Sequence, residues 1–100
     1  MTLREKQSKF VRMLSDLIAF AYNSGYELTL GHGRVESGHM DNSLHYIGLA
    51  QDINLFKDGK YLMRTEDHLD LGLYWESIGG SWGGRFNDGN HYSIEHNGKK

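Results

Sequence analysis

Two histidines, two aspartates and a glycine-rich sequence could together perform metal-assisted hydrolysis. They lie in three short segments: residues 43–52 with His45 and Asp52, residues 82–86 with the sequence Trp-Gly-Gly-Arg-Phe, and residues 88–91 with Asp88 and His91. Two histidines and one carboxylate suit a catalytic zinc ion, which usually has three protein ligands and a fourth position for water. A second carboxylate could take a proton from that water. The combination predicts a hydrolytic metal site.

The composition narrows both the metal chemistry and the class of protein. A chain of 100 residues predicts one small domain over residues 1–100, which a bound metal would help to stabilise. Because there is no cysteine, disulfides and thiolate zinc sites are excluded, and His, Asp or Glu must hold any metal. The net charge of −2 does not favour nucleic acid as a partner. No apolar run approaches the roughly 20 residues of a transmembrane helix, so we expect no membrane insertion.

The order of these motifs resembles that of a known family. The pattern S-x-H-x-x-G-x-A-x-D over residues 43–52, followed by W-G-G-x-F and D-x-x-H, resembles the VanY-like zinc peptidases. This family includes D-alanyl-D-alanine carboxypeptidases and dipeptidases, and the L-alanyl-D-glutamate peptidases that tailed phages use as endolysins. The resemblance extends from about Leu28 to Ile94.

The resemblance implies a role for four residues. By position in the family's motifs, one zinc ion per chain would be held by His45, Asp52 and His91. Asp88, three residues before the last ligand, would be the catalytic base. Many relatives have Glu at this position, and Asp is the form that resembles the phage L-alanyl-D-glutamate endolysins. Asp88 also lies in a good turn sequence, so a purely structural role in the turn is the alternative.

Residues for substrate binding are expected near the first motif. Many relatives carry a substrate-binding arginine after the first strand, and Arg34 is the candidate equivalent here. A guanidinium group can hold a carboxylate with two hydrogen bonds, which Arg85 could also do, although we favour Arg34. Ser43 could hydrogen-bond the substrate or orient His45. Trp82 could line the cleft, but aromatic residues of a small domain more often belong to the core.

The other histidines are expected to lie outside the chemistry, with His32 or His39 near enough for one of them to contact substrate. They are His32, His39, His68 and His96. Phe86 has the same two interpretations as Trp82, cleft or core. Glu76 is expected on the polar side of a helix and is given no role.

The resemblance implies a zinc-dependent hydrolase that cuts peptidoglycan stem peptides, with a phage endolysin cutting L-Ala-D-Glu as the first interpretation. A D,D-carboxypeptidase or dipeptidase would use the same metal and base. A non-catalytic zinc-binding or wall-binding module is an alternative from another class, and a wall-remodelling enzyme encoded by a bacterium is a third. The N-terminus has no apolar signal core. We therefore expect a protein made in the host cytoplasm that acts on the cell wall after release. Separately, we expect a monomer.

Periodicity predicts the elements that must position these residues. Residues 3–24 predict an amphipathic helix, and residues 65–78 a second helix capped by Thr65. The apolar positions of the first helix recur every three or four residues, at Phe10, Met13, Leu14, Leu17, Ile18 and Ala21. Strands are predicted at 26–30, 49–56, 61–63 and 91–96, a hairpin turn at 57–60, an irregular loop at 32–44, and a loop or short strand at 82–86.

The order of these elements predicts an α+β fold. A small antiparallel sheet would carry both helices on one face, as in the hedgehog and D-Ala-D-Ala-peptidase folds that the resemblance implies. In the second strand, Asp52 is expected to face away from the helices, while Ile53 and Leu55 face toward them. This alternation would leave Asp52 room for a metal and a substrate.

Overall fold

A computed structural model describes residues 1–34, 36 and 43–100. His39 and residues 35 and 37–42 of the predicted loop lie outside the described part of the chain. The helices and strands are α1 (Leu3–Asn23), β1 (Glu27–Leu30), β2 (Ala50–Lys57), β3 (Lys60–Leu62), α2 (Leu69–Ser77), β4 (Ser81–Trp82) and β5 (His91–Ser93). Three short 3-10 turns connect them, at Leu44–Ile47, Thr65–His68 and Gly83–Phe86.

Helix α1 matches its predicted extent to within one residue and buries most of the predicted stripe. A capping box fixes its start, because the Thr2 hydroxyl accepts from the Glu5 backbone N–H and the Glu5 side chain accepts from the Thr2 N–H. Gly25, with a φ of 90°, turns the chain away after its end. The residues of the stripe that are buried are Phe10, Met13, Leu17 and Ala21. Leu14 and Ile18 are half-buried at its margin.

The sheet is antiparallel throughout, with strand order β1-β2-β5-β4 and β3 paired with β2. Strand β2 is central: one part pairs with β1 and β3, and its first residues pair with β5. The predicted hairpin is confirmed, because Asp58 and Gly59 have φ angles of 52° and 76°. Positive φ at both central residues is the requirement of a type I′ turn.

The α+β prediction is confirmed, since both helices pack against this sheet. Ile53 and Leu55 of β2 are fully buried, whereas Asp52, Asn54 and Phe56 between and beside them are half-buried. The two helices meet through aromatic side chains, with the Phe10 and Trp75 rings edge to face at 5.8 Å. The alternation along β2 therefore turns Asp52 away from the helices, as predicted.

Two predicted elements differ in the structure. Residues 65–68 form a 3-10 turn, and α2 begins only at Leu69, so the prediction that Thr65 caps the second helix is wrong. The Thr65 hydroxyl instead accepts a hydrogen bond from the Gly89 N–H at 3.2 Å, a long-range contact. The last strand is also shorter than predicted, because pairing with β2 and β4 ends at Ser93.

Candidate metal centre

Three side chains converge where β2, β5 and the 44–47 turn meet. His45, Asp52 and His91 each offer one ligand atom, and these atoms all lie within 4.8 Å of one another. Asp52 Oδ1 lies 3.3 Å from His45 Nε2 and 3.6 Å from His91 Nδ1. Asp52 and His91 are direct partners across the β2–β5 pair, so the sheet register itself brings the two residues together.

His45 is buried and its ring orientation is fixed. Its backbone N–H donates to the Ser43 hydroxyl at 3.2 Å, and Gly48, with a φ of 70°, ends the 44–47 turn. The Nδ1 atom lies 2.9 Å from the Gly33 carbonyl oxygen, which can only accept, so Nδ1 carries the proton. In a neutral ring this leaves a lone pair on Nε2, directed toward Asp52. A metal-binding histidine is usually held by such an outer hydrogen bond.

This arrangement fits a metal ion. Ligand atoms about 2.0–2.2 Å from a tetrahedral zinc ion stand roughly 3.3–3.6 Å apart, close to the two distances around Asp52 Oδ1. In the neutral ring a nitrogen lone pair of His45 faces a carboxylate oxygen, which is repulsive unless a cation lies between them. His91 faces Asp52 with Nδ1, which is therefore the nitrogen that would bind the ion, while its other ring nitrogen, Nε2, is buried and has no hydrogen-bond partner among the described residues. The spacing of these donor atoms therefore suits a shared metal ion.

Asp52 is held through its backbone. Its N–H donates to the His32 carbonyl at 2.7 Å, and its carbonyl accepts from the Gly31 N–H at 2.9 Å. The Gln51 side chain also donates to the Asp52 carbonyl, at 2.8 Å. His32 therefore contributes its backbone to the site, a contact that its side-chain type does not reveal.

Asp88 lies at the start of a turn that ends at His91. The His91 N–H donates to the Asp88 carbonyl at 3.1 Å, and the Asp88 N–H donates to the Gly83 carbonyl at 2.9 Å. Asp88 is exposed and is not part of the three-residue cluster. The turn nevertheless ties its backbone directly to that of His91. An exposed carboxylate on such a turn has the chemistry of a proton acceptor.

Two glycines allow this turn to pack closely. A Cβ at Gly83 would collide with the Asp88 carbonyl oxygen and lie 2.7 Å from His91 Cβ. A Cβ at Gly89 would lie 2.5 Å from Thr65 Cα. Only a residue without a side chain fits such contacts without a backbone shift. Gly83 and Gly89 are thus explained by close backbone approach.

The two arginines that could bind a substrate carboxylate differ in their surroundings. Arg34 is exposed, and its Cδ would lie 3.7 Å from a Cβ at Gly48, so its side chain passes close to the turn that carries His45. The guanidinium of Arg85 forms two hydrogen bonds with the Glu76 carboxylate, at 2.8 and 2.6 Å. Hydrogen bonding to Arg85 lowers the pKa of Glu76. Arg85 is therefore engaged by a residue to which the sequence assigned no role.

The aromatic residues divide between core and surface. Trp82 is buried, and its indole N–H donates to the Gly89 carbonyl at 2.8 Å, so it belongs to the core beneath the turn. Phe86 is 52% exposed and its ring lies 5.9 Å from that of His91. Phe86 thus offers apolar surface beside the cluster.

One buried pair has no counterpart in the sequence analysis. His68 is buried, and its Nδ1 lies 2.8 Å from the Tyr92 hydroxyl. Burial lowers the pKa of His68 to about 4, although the nearby Asp67 carboxylate acts in the opposite direction. Burial also raises the pKa of Tyr92, so the phenol keeps its proton and the pair is a hydrogen bond between two neutral groups. The two residues are 24 positions apart, and no local pattern connects them.

His96, by contrast, is half-buried and lies 3.2 Å from the Lys6 ammonium nitrogen.

A comparison with protein families identifies the class. A family model described as D-alanyl-D-alanine carboxypeptidase matches residues 37–94, more than half of the chain. The chain therefore belongs to the D-alanyl-D-alanine carboxypeptidase family of metal-dependent peptidases, which supports a hydrolase. A search of curated proteins gave no match. In the described part of the chain, no helix is long and apolar enough to cross a membrane.

Proposed function

We propose that this protein is a zinc peptidase that hydrolyses peptidoglycan stem peptides. The observation that carries the proposal is the convergence of His45 Nε2, Asp52 Oδ1 and His91 Nδ1 in a chain of this family. One zinc ion per chain would be held by these atoms. Zinc is the metal proposed because two imidazoles and one carboxylate form a common catalytic zinc set and the family's peptidases are metal-dependent.

The protein's own residues would divide the work of hydrolysis. A bound zinc ion would polarise a water molecule and lower its pKa toward neutrality. Asp88 would accept the proton of the attacking water and return it to the leaving amine. Gly33 would keep His45 in the tautomer that leaves Nε2 free to bind the metal.

The substrate would lie across the exposed side of the cluster. Arg34 would bind a substrate carboxylate, since its side chain is exposed near the His45 turn, whereas Arg85 is already paired with Glu76. Ser43 would act mainly by orienting His45, because its hydroxyl accepts a hydrogen bond from the His45 backbone N–H. Phe86 would contact apolar parts of the stem peptide.

For the bond that is cut, we propose the one between L-alanine and D-glutamate, as in phage endolysins. Asp rather than Glu three residues before His91 supports this choice through the resemblance. The enzyme would be a monomer made in the host cytoplasm, and would reach the wall after release. A D,D-carboxypeptidase is the second candidate, supported by the description of the matching family.

The test is digestion of purified peptidoglycan by the zinc-loaded protein, with mass spectrometry of the newly freed termini. New L-alanine carboxyl and D-glutamate amino termini are expected. Release of terminal D-alanine instead would identify the D,D-carboxypeptidase. His91→Ala should release nothing, whereas His96→Ala, which alters a histidine outside the cluster, should act like the parent. A zinc-loaded parent protein that frees no new peptide termini would contradict the proposed peptidase activity and favour a wall-binding module.

A further inference from the structure

The peptide groups of Gly89 are held from both sides by residues of other elements. Its N–H donates to the Thr65 hydroxyl at 3.2 Å, and its carbonyl accepts from the Trp82 indole N–H at 2.8 Å. Gly89 is buried, although Asp88 before it is exposed. The turn that carries Asp88 is therefore anchored one residue away from the carboxylate, and a shift at Gly89 would move Asp88 with it.

The 65–68 turn contacts this region at two points. Thr65 holds Gly89, two residues before His91, and His68 holds the Tyr92 hydroxyl, one residue after His91. The backbone of Gly89 also rests directly on Thr65, as the 2.5 Å distance from a Cβ at Gly89 to Thr65 Cα indicates. One short turn thus fixes the chain on both sides of a cluster residue.

We propose that Thr65 is a positioning residue, whose hydroxyl holds the Gly89 N–H and so sets Asp88 and His91 relative to each other. The inference rests on the proposed function, in which Asp88 is the base and His91 a ligand. Proton transfer requires the base within hydrogen-bond reach of the attacking water, and small displacements of a catalytic group are costly. The Thr65 hydroxyl therefore affects turnover without contacting substrate.

The variants are chosen to separate positioning from stability. Thr65→Val keeps the shape and removes the hydroxyl, while Thr65→Ser keeps the hydroxyl. Thr29→Val is the matched control, because the Thr29 hydroxyl also accepts a single N–H, from the Asn54 side chain at 3.1 Å, in β1 away from the turn. All three proteins are compared with the parent for zinc content, kcat and KM on a stem peptide, and hydrogen exchange of the Gly89 amide.

Thr65→Val should lower kcat by about 10-fold, as expected when one hydrogen bond is lost, with KM within about twofold of the parent. Its Gly89 amide should exchange faster by a similar factor, with one zinc still bound. Thr65→Ser should restore both quantities, and Thr29→Val should change neither. Restoration by the serine is not expected if Thr65 only fills space.

The proposal is overturned if the Gly89 amide of Thr65→Val exchanges faster while kcat stays at the parent value. It is also overturned if kcat of Thr65→Ser is as low as that of Thr65→Val. If Thr65→Val does not fold, Thr65→Ala is measured instead, and failure of both to fold would overturn a specific positioning role in favour of a structural one. A parent protein without peptidase activity would instead remove the proposed function. The two failures are therefore distinguishable.

Discussion

Helix α1 and the segment from Trp82 to His91 use their residues in opposite ways. The helix buries apolar side chains in a regular stripe, and its backbone needs are met within the helix and its capping box. The 82–91 segment packs backbone against backbone at Gly83 and Gly89, and the side chains of Thr65 and Trp82 hold the peptide groups of Gly89. The first region contributes burial, and the second contributes position.

The difference teaches where function and stability can be separated. None of the candidate site residues lies in α1, whereas Asp88 and His91 both lie in the 82–91 segment. Substitutions in the helix should therefore change the free energy of unfolding and spare the activity of the folded protein. Substitution of the exposed Asp88 in the segment should change activity at a smaller cost in stability.

The largest effect on activity is expected from substitutions in the metal cluster, to which the 82–91 segment contributes His91. His45→Ala and His91→Ala should lose nearly all bound zinc and all peptidase activity, because each removes one of three ligands. Metal analysis after dialysis measures the zinc content. His96→Ala is the control and should keep one zinc per chain. Full occupancy in both cluster variants would exclude the site.

Asp88→Asn should lower turnover by about 10²- to 10⁴-fold, the usual range for a lost acid–base group. Asn is nearly isosteric and suits turns, so the fold should persist, and zinc should remain because Asp88 is outside the cluster. Turnover and zinc content must be measured on the same sample. A zinc-loaded variant that works at the parent rate would show that Asp88 serves only the turn.

In α1, Leu17→Ala should lower the free energy of unfolding by about 2–5 kcal/mol, because Leu17 is fully buried. Urea denaturation measures the loss, and activity per folded molecule should be unchanged. Val11→Ala is the control in the same helix, since Val11 is 63% exposed, and it should cost little. A stable Leu17→Ala protein without activity would break the separation between the two regions.

A smaller effect is expected from the buried His68. Its pKa is about 4 in the folded protein against 6.5 for a free histidine, so the unfolded chain takes up the proton first as the pH falls. The stability associated with His68 is full above pH 6.5 and is lost as the pH falls to about 4, at most on the order of 3 kcal/mol. Urea denaturation of the metal-free protein across this range should show a shallower pH dependence for His68→Gln. His96→Gln should follow the parent, and an unchanged slope in His68→Gln would contradict this account.

The sequence predicts best what depends on local patterns. The stripe of α1, the alternation along β2 and the Asp58-Gly59 hairpin each follow from neighbouring residues, and all three are confirmed. The convergence of His45, Asp52 and His91 was predicted from motif order through a resemblance, and the structure brings the three together.

What the sequence could not predict depends on pairs far apart in the chain. Thr65 has the residue type of a helix cap, yet its hydroxyl bonds Gly89, 24 residues away, because the fold brings the 65–68 turn against that segment. His68 and Tyr92 pair across the same distance in sequence. Arg85 has the chemistry of a substrate ligand, yet it pairs with Glu76. Residue type gives the chemistry of such groups, and only packing gives their partners.

The central claim, that these three side chains hold the metal, is tested most directly by locating zinc in crystals of the zinc-loaded protein from its anomalous scattering. We expect one strong peak, with His45 Nε2, Asp52 Oδ1 and His91 Nδ1 each about 2.0–2.2 Å away. Asp88 should lie outside the first coordination sphere. A zinc ion bound by other residues, with these three side chains free of metal, would contradict the account.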